Sequence, residues 1–165
     1  MTQFRNVLLI AFCLIGVKVF AFVPSAEVCE AYSLKAEQLQ CGEDNYLMRF
    51  GHHYCKFISE NLDLFSRKGQ RAIIQIRQCL IREMQSDETL TCENSRTHAE
   101  HSHVGCYTEN GFCKMSIIDK LSLGNLVYPE LMDPGFRDTM LSIVGACGLR
   151  MDDPFVSLIL HSRPI

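Results

Sequence analysis

Three histidines that lie close together, His98, His101 and His103, are the first residues whose type and spacing suggest chemistry. His98 and His101 are three positions apart, so on a helix their imidazoles share one face and could hold one metal ion. Imidazole is a common zinc ligand, but the local spacing matches none of the usual zinc frames. We therefore interpret this segment as a solvated polar face, with weak metal binding as the alternative.

A second candidate is the run His52-His53-Tyr54-Cys55, which is similar to the His-beside-Cys arrangement of secreted phospholipases. Those enzymes need an Asp directly after the His and a Gly-rich calcium loop upstream, and the sequence has neither. A Gly-x-Ser-x-Gly elbow, a P-loop and a dinucleotide fingerprint are also missing from the sequence. We expect a protein that is not an enzyme and needs no cofactor or metal; a small secreted hydrolase is the least favoured alternative.

A small basic cluster, Arg67, Lys68 and Arg71, surrounds Gly69. Such a cluster could meet heparan sulphate or an acidic partner, but three charges between two helices are more typical of a solvated corner. The whole chain of 165 residues has a formal net charge of −3. Because nucleic-acid-binding proteins are usually basic, we expect no nucleic-acid partner.

The segment 1–21 has the pattern of a secretory signal peptide. Arg5 supplies the positive charge, an apolar run extends from Val7 to Val17, and the small residues of Val19-Phe20-Ala21 precede the predicted cleavage. As a helix this run would span about 16 Å, roughly half of a bilayer core, so it is too short for an anchor. We expect a secreted, extracellular protein with no membrane span.

Nine cysteines are many for a cytosolic protein. Removal of the predicted signal peptide removes Cys13 and leaves an even set, as four disulfides would require. The number of ways to pair these cysteines is on the order of 100, and their spacing alone does not choose among them. The remaining cysteines are Cys29, Cys41, Cys55, Cys79, Cys92, Cys106, Cys113 and Cys147.

Apolar residues recur with a helical period along nearly the whole remaining chain, and no run alternates with the period of two that is typical of a strand. The clearest helices are predicted near 54–66 and 70–84, separated at Gly69, and near 134–147, where Asp133-Pro134 is a start signal. Weaker patterns indicate helices near 26–39, 95–106 and 113–121, and Asp153-Pro154 repeats the start signal for a short tail helix over 155–160. The sequence therefore predicts an all-α, single disulfide-stapled helical domain of five or six helices.

The cysteine frame from Cys55 to Cys147 resembles that of the stanniocalcin family of secreted hormones, as a divergent member. Between Cys55 and Cys79 lie an aromatic, Phe65, and the pair Gly69-Gln70, at places where the family carries similar residues. Arg77-Gln78-Cys79-Leu80 is similar to the family's Cys-Ile segment, and Cys106-Tyr107 is followed by Cys113 at the family's step. The resemblance divides the chain into a signal peptide (1–21), a stanniocalcin-like helical domain (22–147) and a C-terminal tail with a short helix (148–165).

The resemblance also implies which cysteines pair, once the family's additional N-terminal bridge is left out. The implied disulfides are Cys29–Cys55, Cys41–Cys92, Cys79–Cys106 and Cys113–Cys147. The family's dimer cysteine, which lies beyond the position of Cys147, has no counterpart here, so we expect no covalent dimer. A non-covalent homodimer through the apolar tail, Phe155 to Leu160, stays open; the alternative is that the tail packs on its own domain.

By resemblance, the function is that of a secreted, hormone-like signalling protein in calcium and phosphate homeostasis. Its partner would be an unknown receptor or a secreted metalloprotease, bound by protein–protein recognition. The alternative is a generic secreted disulfide-rich binding or carrier module, which a large apolar cavity between the helices would favour. The sequence singles out no contact residue for either.

Overall fold

The computed structural model describes residues 26–162, and within this range it contains seven α-helices and no strand. The prediction of an all-α, disulfide-stapled domain is confirmed, whereas the predicted signal peptide lies outside the described residues. The helices are α1 (Glu30–Gln38), α2 (His53–Glu60), α3 (Arg67–Ser86), α4 (Ser95–Glu109), α5 (Ile117–Leu126), α6 (Pro134–Ala146) and α7 (Pro154–His161). A π-helical segment, Leu47–His52, leads directly into α2.

Four of the helices begin at a residue whose side chain accepts a hydrogen bond from the first turn. Such a bond satisfies one of the amide groups that have no partner inside the helix. In α6 and α7 a proline occupies the first helical position, as the Asp-Pro pairs of the sequence predict. The capping residues are Ser66 for α3, Ser116 for α5, Asp133 for α6 and Asp153 for α7.

Gly69 does not separate two helices, contrary to the sequence-based expectation. The chain leaves α2 at Glu60, forms a 3-10 turn over Leu62–Leu64, and starts α3 at Arg67, so that Gly69 lies inside the first turn of α3. A glycine is needed at this position because α5 packs closely against it, and not because a helix ends there. A Cβ atom on Gly69 would lie 2.6 Å from Cγ of Asp119 in the neighbouring helix α5.

The main hydrophobic core lies where α3, α4 and α6 meet the pair α5–α7. α4 packs against both α3 and α6, while α5 packs against α7. Phe112 and Phe155 are fully buried at its centre, with their rings in edge-to-face contact at 5.6 Å. A smaller cluster around Tyr32 and Met84 joins α1, the Leu47–His52 segment and the end of α3.

Four disulfides join the same cysteine pairs that the family resemblance implies: Cys29–Cys55, Cys41–Cys92, Cys79–Cys106 and Cys113–Cys147. Their Cα–Cα separations are 5.1 to 5.6 Å, within the usual range for a disulfide. Cys79–Cys106 links α3 directly to α4, and Cys29–Cys55 links the start of α1 to α2. Cys41–Cys92 joins the loop after α1 to the loop before α4, and Cys113–Cys147 joins the 3-10 turn Phe112–Lys114 to the end of α6.

The tail helix α7 packs against the same chain. Phe155, Val156 and Ile159 have no exposed surface, and Leu158 packs against the main core, while Leu160 is 38% exposed. Most of the tail's apolar surface is thus already covered without a second subunit. Within residues 26–162, no helix has both the length and the apolarity needed to cross a membrane.

Candidate functional site

A cavity of about 80 Å³ lies between the Leu47–His52 segment, α2, α3 and α4. Aromatic and aliphatic side chains form most of its wall. Four of the protein's five tyrosines line it: Tyr32, Tyr46, Tyr54 and Tyr107. Arg77 of α3 also lines the cavity and is the only Lys, Arg, Asp or Glu side chain among the lining residues.

Arg77 is only 6% exposed, and its guanidinium is poorly satisfied. Nη1 donates to Oγ of Ser59 at 2.6 Å, and that hydroxyl donates to the carbonyl oxygen of Cys55 at 2.6 Å. Nε and Nη2 are buried and have no hydrogen-bond partner among the described residues. Burial lowers the pKa of Arg77, as expected for a cation whose charged form has lost water.

Two histidines of α4, His98 and His103, complete the polar part of the wall. His98 contacts a carboxylate oxygen of Asp87 through Nδ1 at 2.8 Å, while its Nε2 is buried with no partner among the described residues. Nδ1 of His103 lies 2.5 Å from the carbonyl oxygen of Ala99 and donates to it. Burial lowers the pKa of His103 despite that bond, so His103 faces the cavity as a neutral ring at neutral pH.

A more polar groove of about 350 Å³ adjoins the cavity. The two share four lining residues with rings, Tyr46, Phe50, His103 and Phe136. Phe50 stacks closely on the others, with ring centroids 4.9 Å from Tyr46 and 5.4 Å from Phe136. These four side chains therefore form a common wall between an apolar chamber and a groove lined by charged residues.

The histidines singled out in the sequence do not form one site. His98 and His103 line the cavity while His101 is exposed, and among the described residues no three His, Cys, Asp or Glu side chains are placed to hold a metal ion. His52 pairs with Glu30 at 3.2 Å, and His53 stacks on Phe57 at the surface. The prediction of a solvated polar face therefore holds for His101, whereas His98 and His103 belong to the wall of the cavity.

The basic cluster lies at the surface in the first turns of α3. Arg67, Lys68 and Arg71 are all exposed, and no ion pair of theirs is present among the described residues. This placement agrees with a solvated corner.

Arg77 was missed as a candidate residue, although the sequence contained a signal. It lies four positions after Ile73 and three before Leu80, on the same helix face as Met84. A charged residue inside an apolar stripe is a candidate for a buried charge. The predicted helix near 70–84 gave Arg77 no role in a site.

Comparison of the chain with protein-family models, with curated proteins and with solved structures finds no match.

Proposed function

We propose that this chain is a secreted, hormone-like signalling protein that resembles the stanniocalcins and acts by protein–protein recognition. The observation that carries the proposal is the disulfide set: four bridges in an all-α domain, in the pairs that the resemblance implies. Four disulfides are also compatible with the oxidising environment of secretion. The role would lie in calcium and phosphate homeostasis, through a receptor or a secreted metalloprotease.

The test uses the protein purified from the medium of secreting cells. Calcium and phosphate fluxes are measured across an epithelial monolayer, with the reduced and alkylated chain as the matched control. We expect the native protein to change one of the fluxes and the control to have no effect, since the control cannot keep the fold. Equal fluxes with native protein and with buffer would contradict the homeostatic role.

A second candidate function is a secreted binding module for a small molecule. The lining of the cavity favours it, because a mostly apolar chamber with a few convergent polar groups is the usual form of a ligand site, although about 80 Å³ is smaller than the roughly 300–1,000 Å³ of a site for a drug-sized molecule. The two functions are compatible, since a bound ligand could adjust the surface that a partner recognises. Retention of a small molecule by the purified protein, detected by native mass spectrometry, would support this candidate; no binding of any probe ligand would exclude it.

A further inference from the structure

We infer that the cavity binds a small organic monoanion, whose carboxylate pairs with Arg77 and whose apolar part lies among the aromatic side chains. The inference rests on the second proposed function, the binding module, and adds the chemical class of the ligand. The buried guanidinium of Arg77 has no negatively charged partner among the described residues. A buried guanidinium normally has a carboxylate or several acceptors around it, since burial of an unpaired charge is costly. Arg77 has one neutral acceptor, Ser59.

The free edge of Arg77 has the shape that a carboxylate needs. Nε and Nη2 lie on the same side of the planar guanidinium, and their two N–H groups point in parallel. These are the two atoms that lack a partner, while Nη1 on the other side is held by Ser59. The bond to Ser59 fixes the plane of the guanidinium, while the bidentate edge is packed too closely for a water molecule to touch it, so a carboxylate must displace neighbouring side chains to reach it. A carboxylate would satisfy both N–H groups at once and neutralise the charge.

The rest of the wall selects for an apolar group attached to the anion. Within residues 26–162 no Asp, Glu or Lys lines the cavity, so Arg77 leaves a single uncompensated positive charge, which matches a monoanion. Tyr32, Tyr54 and Tyr107 offer ring surface rather than further cationic donors. An inorganic phosphate or sulphate would leave this surface uncovered, and it would bring more charge than Arg77 neutralises. The wall therefore favours a carboxylate with a hydrocarbon part.

The size of the cavity limits the ligand. About 80 Å³ corresponds to roughly three water molecules at liquid density, so the chamber itself holds a carboxylate and a few carbon atoms. A longer hydrocarbon part would have to pass the rings of Phe50 and Phe136 into the adjoining groove. We therefore expect butyrate to fit the chamber, while hexanoate and benzoate test whether the side chains of Phe50 and Phe136 admit a larger hydrocarbon part.

The protein supplies its own optical reporter for the test. It has no tryptophan, and four of its five tyrosines line the cavity, so tyrosine fluorescence reports mainly on this site. The secreted protein is titrated with butyrate, hexanoate and benzoate, and in parallel with the uncharged butanol, hexanol and benzyl alcohol and with inorganic phosphate. We expect saturable fluorescence changes with the carboxylates, and affinities at least about tenfold weaker for the alcohols, the loss expected when hydrogen bonds to a charged group are removed. Isothermal calorimetry provides the dissociation constants.

Two substitutions decide the role of Arg77. Arg77→Met removes the charge at similar volume and should weaken carboxylate binding about 10- to 100-fold. The ligand-free variant should be at least as thermostable as the original protein, because an unpaired buried charge is gone. Arg77→Lys keeps a charge but lacks the two-pronged edge, and should also bind more weakly. Arg71→Met, at an exposed position of the same helix, is the control and should bind like the original protein.

The outcomes separate this inference from the function on which it rests. If alcohols and carboxylates bind equally well, and Arg77→Met binds both, the cavity is a site for neutral ligands; the binding module then stands and the anion site is wrong. If neither set binds, the cavity does not accept small ligands and both proposals fail. If phosphate binds more tightly than the carboxylates, the anion site stands without its apolar selectivity, and the inferred ligand class is wrong.

Discussion

Asp119 joins the starts of two helices that are far apart in the sequence. It is 1% exposed, and its carboxylate accepts hydrogen bonds from the amide of Ser66 at 2.7 Å and from the hydroxyls of Ser66 and Ser116 at 2.8 and 2.7 Å. Ser66 and Ser116 are the caps of α3 and α5. Burial alone would raise the pKa of Asp119, but the hydrogen bonds from these two serines outweigh it and lower the pKa.

The residue-scale prediction is that Asp119→Asn lowers the free energy of unfolding by about 1.5–3 kcal/mol at neutral pH, the range for hydrogen bonds to a charged group. Asp138→Asn, at an exposed position of α6, is the control and should change it by less than about 0.5 kcal/mol. Urea denaturation with the disulfides intact measures both. An Asp119→Asn protein as stable as the control would contradict the structural role of the carboxylate.

The pH dependence of that difference follows from the direction of the pKa shift. Because the pKa of Asp119 is lower in the folded protein than its ordinary value of 3.8, the stabilisation is fully present above that value and is lost as the pH falls through the folded pKa. The difference in the free energy of unfolding between the original protein and Asp119→Asn should therefore become smaller below about pH 4. If that difference in free energy stays constant down to pH 2, the charge of Asp119 is not the source of the stabilisation.

At the scale of the helices, Gly69 in the first turn of α3 and Gly105 inside α4 have opposite roles. Gly69 has the Asp119 carboxylate against its Cα, whereas a Cβ on Gly105 of α4 would meet nothing within 4 Å. Gly69→Ala should lower the free energy of unfolding by about 1–3 kcal/mol through overpacking. Gly105→Ala should raise it by about 0.5–1 kcal/mol, since alanine is the better helix former.

Calorimetry of the two glycine variants tests this contrast directly. If both variants shift the melting temperature in the same direction, the close contact between Gly69 and Asp119 is not present in solution. The opposite signs are the diagnostic result, because a general effect of alanine on helices would move both variants together.

The tail helix α7 provides a second contrast within one element. Phe155 is fully buried against Phe112, and Leu160 is 38% exposed. Phe155→Ala should lower the free energy of unfolding by about 3–5 kcal/mol, the usual cost of a large cavity in a core, and Leu160→Ala by less than about 1 kcal/mol. Equal, small losses for both would mean that α7 does not pack on this core. Because α7 packs on the core of its own chain, light scattering of the native protein should give the mass of a single chain.

Helix starts were more predictable than helix interiors. Asp133-Pro134 and Asp153-Pro154 indicated α6 and α7 because capping is local: the side chain accepts from an amide two or three positions on. The role of Gly69 was not predictable, because it depends on Asp119 in another helix. The π-helical Leu47–His52 segment was also missed, since its sequence, LMRFGH, has no strong helical stripe.

Arg77 shows the same limit for the candidate site. Its position among Ile73, Leu80 and Met84 indicates burial, but the partners of its guanidinium are set by α2, which reaches it through Ser59. The packing of α2 against α3 determines which guanidinium nitrogen atoms of Arg77 have a hydrogen-bond partner and which do not. Sequence patterns can therefore indicate a buried charge, while its chemistry needs the three-dimensional arrangement.

At the scale of the whole molecule, the four disulfides join segments that are far apart in the sequence into one domain. The bridges close loops with sequence separations of 26, 51, 27 and 34 residues. In the chain-entropy picture each such loop contributes roughly 3–4 kcal/mol, comparable with much of the net stability of a domain. Reduction should therefore unfold the domain, which would be seen as a loss of near-ultraviolet circular dichroism.

Four disulfides hold this helical domain together, and peptide mapping tests their pairing directly. Protein collected from the medium is digested without reductant after free thiols are blocked, and linked peptides are identified by mass spectrometry. We predict the linked pairs Cys29–Cys55, Cys41–Cys92, Cys79–Cys106 and Cys113–Cys147, with no blocked thiol among them. Free thiols at two or more of these cysteines, or a different set of linked peptides, would contradict the account.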